Sequence, residues 1–234
     1  MDAAQTIRDE VSRISALRRT SQADPALHAA IGAVKRFQAQ RFASTYGDVL
    51  NAGAYQDAVR FFLVELYSDK DYSLRDAQFS RIAGTLQTFF PKPVVAVAVS
   101  LAKLHALTED LDHAMGHAWI GCNKPVTESD ARRYGCAWRE VGRRADRDSQ
   151  LKDVLALGHE LDKLSRAPGL RIMLRTMRRP AQAAGLSSLQ IFLESGFDTF
   201  AQMNGRGKGA GKFLDMIHQR ETAFIETLFS GHHD

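Results

Sequence analysis

A chain of 234 residues, 44% hydrophobic and 25% charged, is long enough to bury a core without disulfide or metal staples, and its composition excludes global disorder. The net charge of +4 is unevenly placed. Lys/Arg and Asp/Glu number 13 and 13 in residues 1–123, 14 and 8 in 124–180, and 4 and 6 in 181–234.

The N-terminus, MDAAQTIRDEVSRISALRR, is amphipathic and lacks the apolar stretch of a secretory signal. The longest apolar run, Val94–Ala102, is too short to span a bilayer. Cys122 and Cys136 fit neither a C-x-x-C motif nor a paired zinc spacing. They are expected as reduced thiols in a soluble, bacterial-type cytoplasmic protein.

Helix signals recur along the chain and strand signals do not. Ile7, Val11, Ile14 and Leu17 set a first helix over residues 3–20. Asp24-Pro25 caps a second, which runs to about Tyr46. Asn51-Ala-Gly53 breaks the chain before an apolar helix over Tyr55–Tyr67. Ser73 and Asp76 open a helix to Phe90. After Pro91-Lys-Pro93 one long helix covers Val94–Ile120. Thr127 caps a helix over Glu128–Arg147, and Asp148 caps the next, to about Arg166. Pro168-Gly169 opens another to about Arg179. Residues 181–203 are helical with interruptions at Gly185 and Gly196, Asn204–Gly211 is a loop, and Lys212–Phe229 is the last helix.

The expected fold is all-α, one globular bundle of about nine helices. Pro91–Pro93 is the point where two halves would divide. A single domain is preferred, because Val94–Ala102 is apolar on every side and such a helix needs neighbours all round.

Leu101–Ile120 carries three histidines and three acids on that long helix. With Leu104 as origin and about 100° per residue, Val97, Leu101, Leu107, Leu111, Met115 and Ala118 form the core face. Asp110, His113 and His117 fall on the far side. His113 and His117 have a chelating pitch but no partner segment. His105, Thr108 and Asp112 flank the core face and look toward a neighbouring helix, while Glu109 lies further out, at about 140°.

Two other helices put an acid among apolar residues. Glu65 shares a face with Ala58, Phe61 and Phe62. Glu221 lies within the stripe Leu214, Ile217, Phe224, Ile225, Leu228, with His218 at its edge. A carboxylate taken from water requires a cation, a proton or a metal. Arg41, Arg75 and Arg81 are the candidate arginines. In one reading these are packing pairs. In the other, His105, Asp112, Glu65, Glu221 and His218 converge on an interior polar pocket, with His105, Asp112 and Glu65 as the weak candidates for a metal.

The motifs tested are incomplete. No Glu-x-x-His occurs, as a di-iron bundle requires. Asp110-x-x-His113 and Asp215-x-x-His218 are the nearest approaches. His105-x3-Glu109-x2-Asp112 resembles only part of the ligand pattern of heme-oxygenase-like di-metal bundles. Gly205–Lys212 (GRGKGAGK) fails the phosphate-loop spacing and has no preceding strand. Arg132, Arg139 and Arg143 share one helix side, and Arg171, Arg175 and Arg178 another. They form a candidate basic surface for an anion or nucleic acid, although no helix-turn-helix is evident.

The segments FFLVELYSDKDYSLRDAQFSRI (61–82), LHALTEDLD (104–112) and FLESGFDTFAQM (192–203) resemble a family of uncharacterised proteobacterial helical proteins. The likeness covers most of the chain. It implies a helical domain and carries over no activity, catalytic residue or cofactor.

Three functions follow as expectations. The first is a non-catalytic helical protein acting through a protein partner or small ligand. The second is a metal- or cofactor-binding bundle enzyme using the interior pocket. The third is an anion- or nucleic-acid-binding regulator using residues 132–179. The sequence names no cofactor.

Overall fold

The computed structural model describes residues 2–51, 53–67, 70–122, 129–205 and 209–231. Among these the chain is all-α, with no strand. Twelve helical segments follow in order: α1 (Ala3–Ala23), α2 (Pro25–Thr45), α3 (Gly47–Asn51), α4 (Gln56–Glu65), α5 (Ser73–Phe89), α6 (Lys92–Gly121), α7 (Asp130–Val141), α8 (Arg144–Ser165), α9 (Leu170–Thr176), α10 (Arg178–Ala183), α11 (Ser187–Gly205) and α12 (Gly209–Ser230).

Local chemistry sets several of these boundaries. The Asp2 carboxylate accepts hydrogen bonds from the Ala4 and Gln5 N–H groups, and Asp24 does the same for Ala26 and Leu27 with Pro25 in the first turn. Gly142, at φ +63°, closes α7 in the left-handed conformation. The helix expected over Glu128–Arg147 therefore stops at Val141, and α8 begins before the anticipated Asp148 cap. The observed cap of α7 is Ser129, since Thr127 lies outside the described residues. Gly185, at φ +68°, separates α10 from α11, whereas α11 runs unbroken through Gly196. The two short helices α9 and α10 replace one expected helix, and α3 was not anticipated. Part of the expected loop, residues 206–208, lies outside the described residues.

Helix α6 packs against α1, α2, α7 and α8, a central position. Its burial is not that of a uniformly enclosed apolar rod. Val94, Val95, Val97 and Val99 are half-buried and Ala96 is exposed, while Ala98, Ala102, Ala106, Glu109, Leu111, Asp112, Met115, Ala118 and Trp119 are buried. Small residues at four-residue spacing bring α1 and α5 close to the first half. The second half is the part that is surrounded.

Three apolar clusters surround the middle of the molecule. One joins Ile7 and Val11 to Phe79, Leu86, Ala98 and Leu189. A second joins Val34, Met115, Trp119, Tyr134, Trp138 and Leu228. The third joins Phe42, Val59, Phe62, Phe200, Phe213 and Ile217.

Helix α2 crosses α6 at Gly116. A Cβ there would lie 2.5 Å from Ile31 Cγ1 and 3.2 Å from Leu27 Cδ1. Overpacking at such a crossing costs about 1–3 kcal/mol, more than the up to ~1 kcal/mol of helix propensity gained from alanine. Gly116→Ala is expected to lower Tm by about 2–4 °C in a thermal melt; an unchanged or higher Tm would show that α2 and α6 are not in this contact.

Candidate functional site

At the junction of the three clusters lies an interior cavity of about 180 Å³, lined from α1, α2, α4, α5, α6, α7, α8, α11 and α12. A single water needs only about 10–15 Å³ on such a scale. Apolar walls come from Ile14, Phe42, Phe62, Phe79, Leu101, Leu104, Phe192, Ile217 and Phe224. The polar lining includes Lys35, Gln38, Arg41, Glu65, Arg75, Asp76, His105, Thr108, Glu109, Asp112, Tyr134, Arg147, Gln150 and Glu221.

Four of the five interior residues expected from sequence line this one cavity: His105, Asp112, Glu65 and Glu221. So do two of the three candidate arginines, Arg41 and Arg75. His218 does not; it is exposed on α12 and outside the lining. Arg81 is exposed too, and donates to the carbonyls of Ala184 (2.6 Å) and Gly185 (3.0 Å) rather than to Glu65.

Each lining carboxylate has a protein partner. Arg41 donates to both Glu221 oxygens at 2.6 and 2.8 Å, and the Tyr46 hydroxyl donates at 3.0 Å. Burial and the nearby Glu221 carboxylate raise the Tyr46 phenol well above its ordinary range, so it stays a donor. Arg75 reaches Glu65 at 3.2 Å and stacks on Tyr72 and Phe192. Lys35 donates to Glu109 at 2.9 Å. Gln38 donates to Asp112 at 3.0 Å, and Lys35 lies 3.8 Å from its other oxygen. Arg18 lies 2.8 Å and His105 Nε2 3.1 Å from the same Asp76 oxygen.

Glu109 corrects the helical-wheel estimate. It was placed well outside the core face, yet it is only 9% exposed. Helices α1 and α2 cover that flank, so Arg18 and Lys35 enclose it. Asp76 was expected only as a helix-start charge and is buried against His105. Asp110 faces outward as expected and pairs with Arg13 and Arg143. His113 and His117 stack edge to face, 4.9 Å apart.

The ligand atoms of His105, Asp112 and Glu65 do not gather. Among the described residues, the one set of three potential metal-ligating side chains with ligand atoms within 4.8 Å of one another is Cys122, Cys136 and Glu140. The two cysteines are disulfide-bonded, with Cα atoms 6.2 Å apart. That corrects the expectation of reduced thiols. The fold brings the middle of α7 back against the end of α6, a proximity that no local spacing announces.

Half of the candidate basic surface is neutralised. Arg143 pairs with Asp110 and Asp146, Arg171 with Asp198, and Arg178 with Glu194. Arg139 donates to the Leu228 carbonyl at 3.3 Å. Arg132 and Arg175 are exposed.

Sequence reasoning missed Lys35 and Gln38 on α2, and it missed Arg147. Arg147 sits in the second turn of α8, is 5% exposed, and lines the cavity. Its Nη1 donates to Gln150 at 3.2 Å, and its guanidinium stacks 4.1 Å from the Trp138 ring centroid. No carboxylate pairs with it among the described residues.

A family profile described as a domain of unknown function, DUF8198, matches residues 17–234. The chain belongs to this family. The match spans every segment that lines the cavity except that of α1, whose Val11 and Ile14 precede it. No curated protein and no solved structure matches the chain. No helix among the described residues is long and apolar enough to cross a membrane.

The interior carboxylates of this family member titrate in opposite directions. For Asp76, burial favours the neutral acid, but His105 and Arg18 outweigh it and lower the pKa. For Asp112, burial dominates over Lys35 and raises the pKa. A lowered carboxylate contributes stability above its unfolded pKa and loses it as pH falls through the folded value. A raised one contributes below its unfolded value and loses it as pH rises through the folded one. Asp76→Asn is therefore expected to destabilise at pH 7 by about 3 kcal/mol, the scale of a broken buried pair. Asp112→Asn is expected to leave Tm unchanged or higher at pH 7. Melts of the two variants at pH 7 check this; an equal loss in both would contradict it.

Proposed function

We propose that this protein is a non-catalytic binder of a small organic molecule, held in the interior cavity. The observation that carries the reading is the convergence of nine helices on one cavity that sets polar side chains among apolar walls, the combination a small-molecule site uses for orientation and burial. A protein built only for stability fills such a space, because cavities cost stability.

The non-catalytic form is favoured over the enzyme because the acids and His105 are engaged by Arg, Lys, Gln or each other. Among the described residues no acid–nucleophile pair is left poised at the cavity. The metal form of the pocket has no converging donor set behind it among the described residues, and the pairing of Arg143, Arg171 and Arg178 weakens the nucleic-acid reading. The Cys122–Cys136 disulfide favours an oxidising compartment over the expected cytoplasmic one.

Titration with N-phenyl-1-naphthylamine, a neutral apolar fluorophore, tests the proposal. One saturable site with blue-shifted emission is expected. Leu104→Trp, which places a larger side chain at the cavity wall, is expected to weaken binding tenfold or more with circular dichroism unchanged. Non-saturable binding, or the same affinity in the variant, would sink the proposal.

A further inference from the structure

Three buried side-chain nitrogens of the cavity lining have no hydrogen-bond partner among the described residues: Arg147 Nη2, Arg41 Nε and Trp138 Nε1. All three are N–H donors, and neither guanidinium nor indole offers an acceptor. Burying such groups unsatisfied costs free energy, most of all for a charged one.

The three side chains are linked through aromatic contacts. The Arg147 guanidinium lies 4.1 Å from the Trp138 ring centroid. Trp138 meets Phe224 edge to face at 6.4 Å, and Arg41 lies 4.1 Å from the Phe224 ring. The other cations of the lining are paired: Lys35 with Glu109, Arg41 with Glu221, Arg75 with Glu65. Among the described residues, Arg147 is the one lysine or arginine of the lining with no carboxylate in direct contact. The carboxylate whose field acts on it is Asp112, whose oxygens are engaged by Gln38 and approached by Lys35.

We propose that the cavity takes an organic monoanion, its charged oxygens accepting from Arg147 and Trp138, with Arg41 beside them, and its apolar body against Phe62, Phe79 and Leu101. This rests on the reading of the cavity as a small-molecule site and adds the charge and orientation of the ligand.

The experiment compares two probes with the same aromatic body. 8-Anilinonaphthalene-1-sulfonate carries an anionic group that N-phenyl-1-naphthylamine lacks. Both are titrated into wild-type protein and Arg147→Met at one ionic strength, with thermal melts alongside. The expected result is that the sulfonate binds at least tenfold tighter to the wild type. In Arg147→Met that preference disappears, the neutral probe binds within twofold of wild type, and Tm is unchanged or higher because an unpaired buried charge has gone.

If the neutral probe binds and the sulfonate binds no tighter, the anion proposal falls while the cavity reading stands. If neither binds, both fall. A lower Tm with equal loss of both probes would make Arg147 structural and overturn the proposal. Should Arg147→Met not fold, displacement of the neutral probe from wild type by octanoate and by 1-octanol decides. Octanoate acting at tenfold lower concentration supports the anion site, and equal potency overturns it.

Discussion

The constraint on which this structure depends is that α6 carries carboxylates into the interior. Glu109 and Asp112 lie on the best-covered half of the central helix, and neither can be taken from water alone. Their partners arrive on a different helix: Lys35 and Gln38 both come from α2. Asp76 on α5 draws Arg18 from α1 and His105 from α6 in the same way. Glu221 on α12 is held by Arg41 of α2 and by Tyr46. Each pair ties two different helices, most of them well separated in sequence, so the polar network helps set which helices are neighbours.

Long polar side chains meeting in this way do not interdigitate as Leu and Ile do, and a cavity remains among them. The apolar clusters on its three sides supply the general driving force for folding. The polar groups at their junction give that space its chemistry. Arg147 is set apart from the other interior charges. The others close on themselves within the protein, whereas Arg147 rests on Trp138 and a single glutamine. A fold selected for stability alone has no use for a buried cation in that condition, because an apolar replacement is often as stable or more so.

Much of this was legible from periodicity. An acid inside an apolar stripe is a strong signal, and Glu65 and Glu221 were found by it, as were Arg41 and Arg75 as partners. His105 and Asp112 were found by their angular position beside the core face. What was not legible depended on neighbours. Glu109 is outside the core face of an isolated helix and inside the molecule only because α1 and α2 wrap that flank. Arg147 was hidden by a boundary: with the helix read through Gly142 to Arg147, this residue was only a helix end and was given no role. The left-handed turn at Gly142 instead starts a new helix that carries it inward. The Cys122–Cys136 pair was hidden because its proximity depends on how α7 returns to α6.

The central claim is that the cavity is a binding site oriented by Arg147. A crystal structure of the wild-type protein grown with octanoate tests it most directly. The account predicts the chain in the cavity and the carboxylate within hydrogen-bond distance of the Arg147 guanidinium. A cavity holding only water with octanoate present, or octanoate bound with its carboxylate away from Arg147, would contradict it.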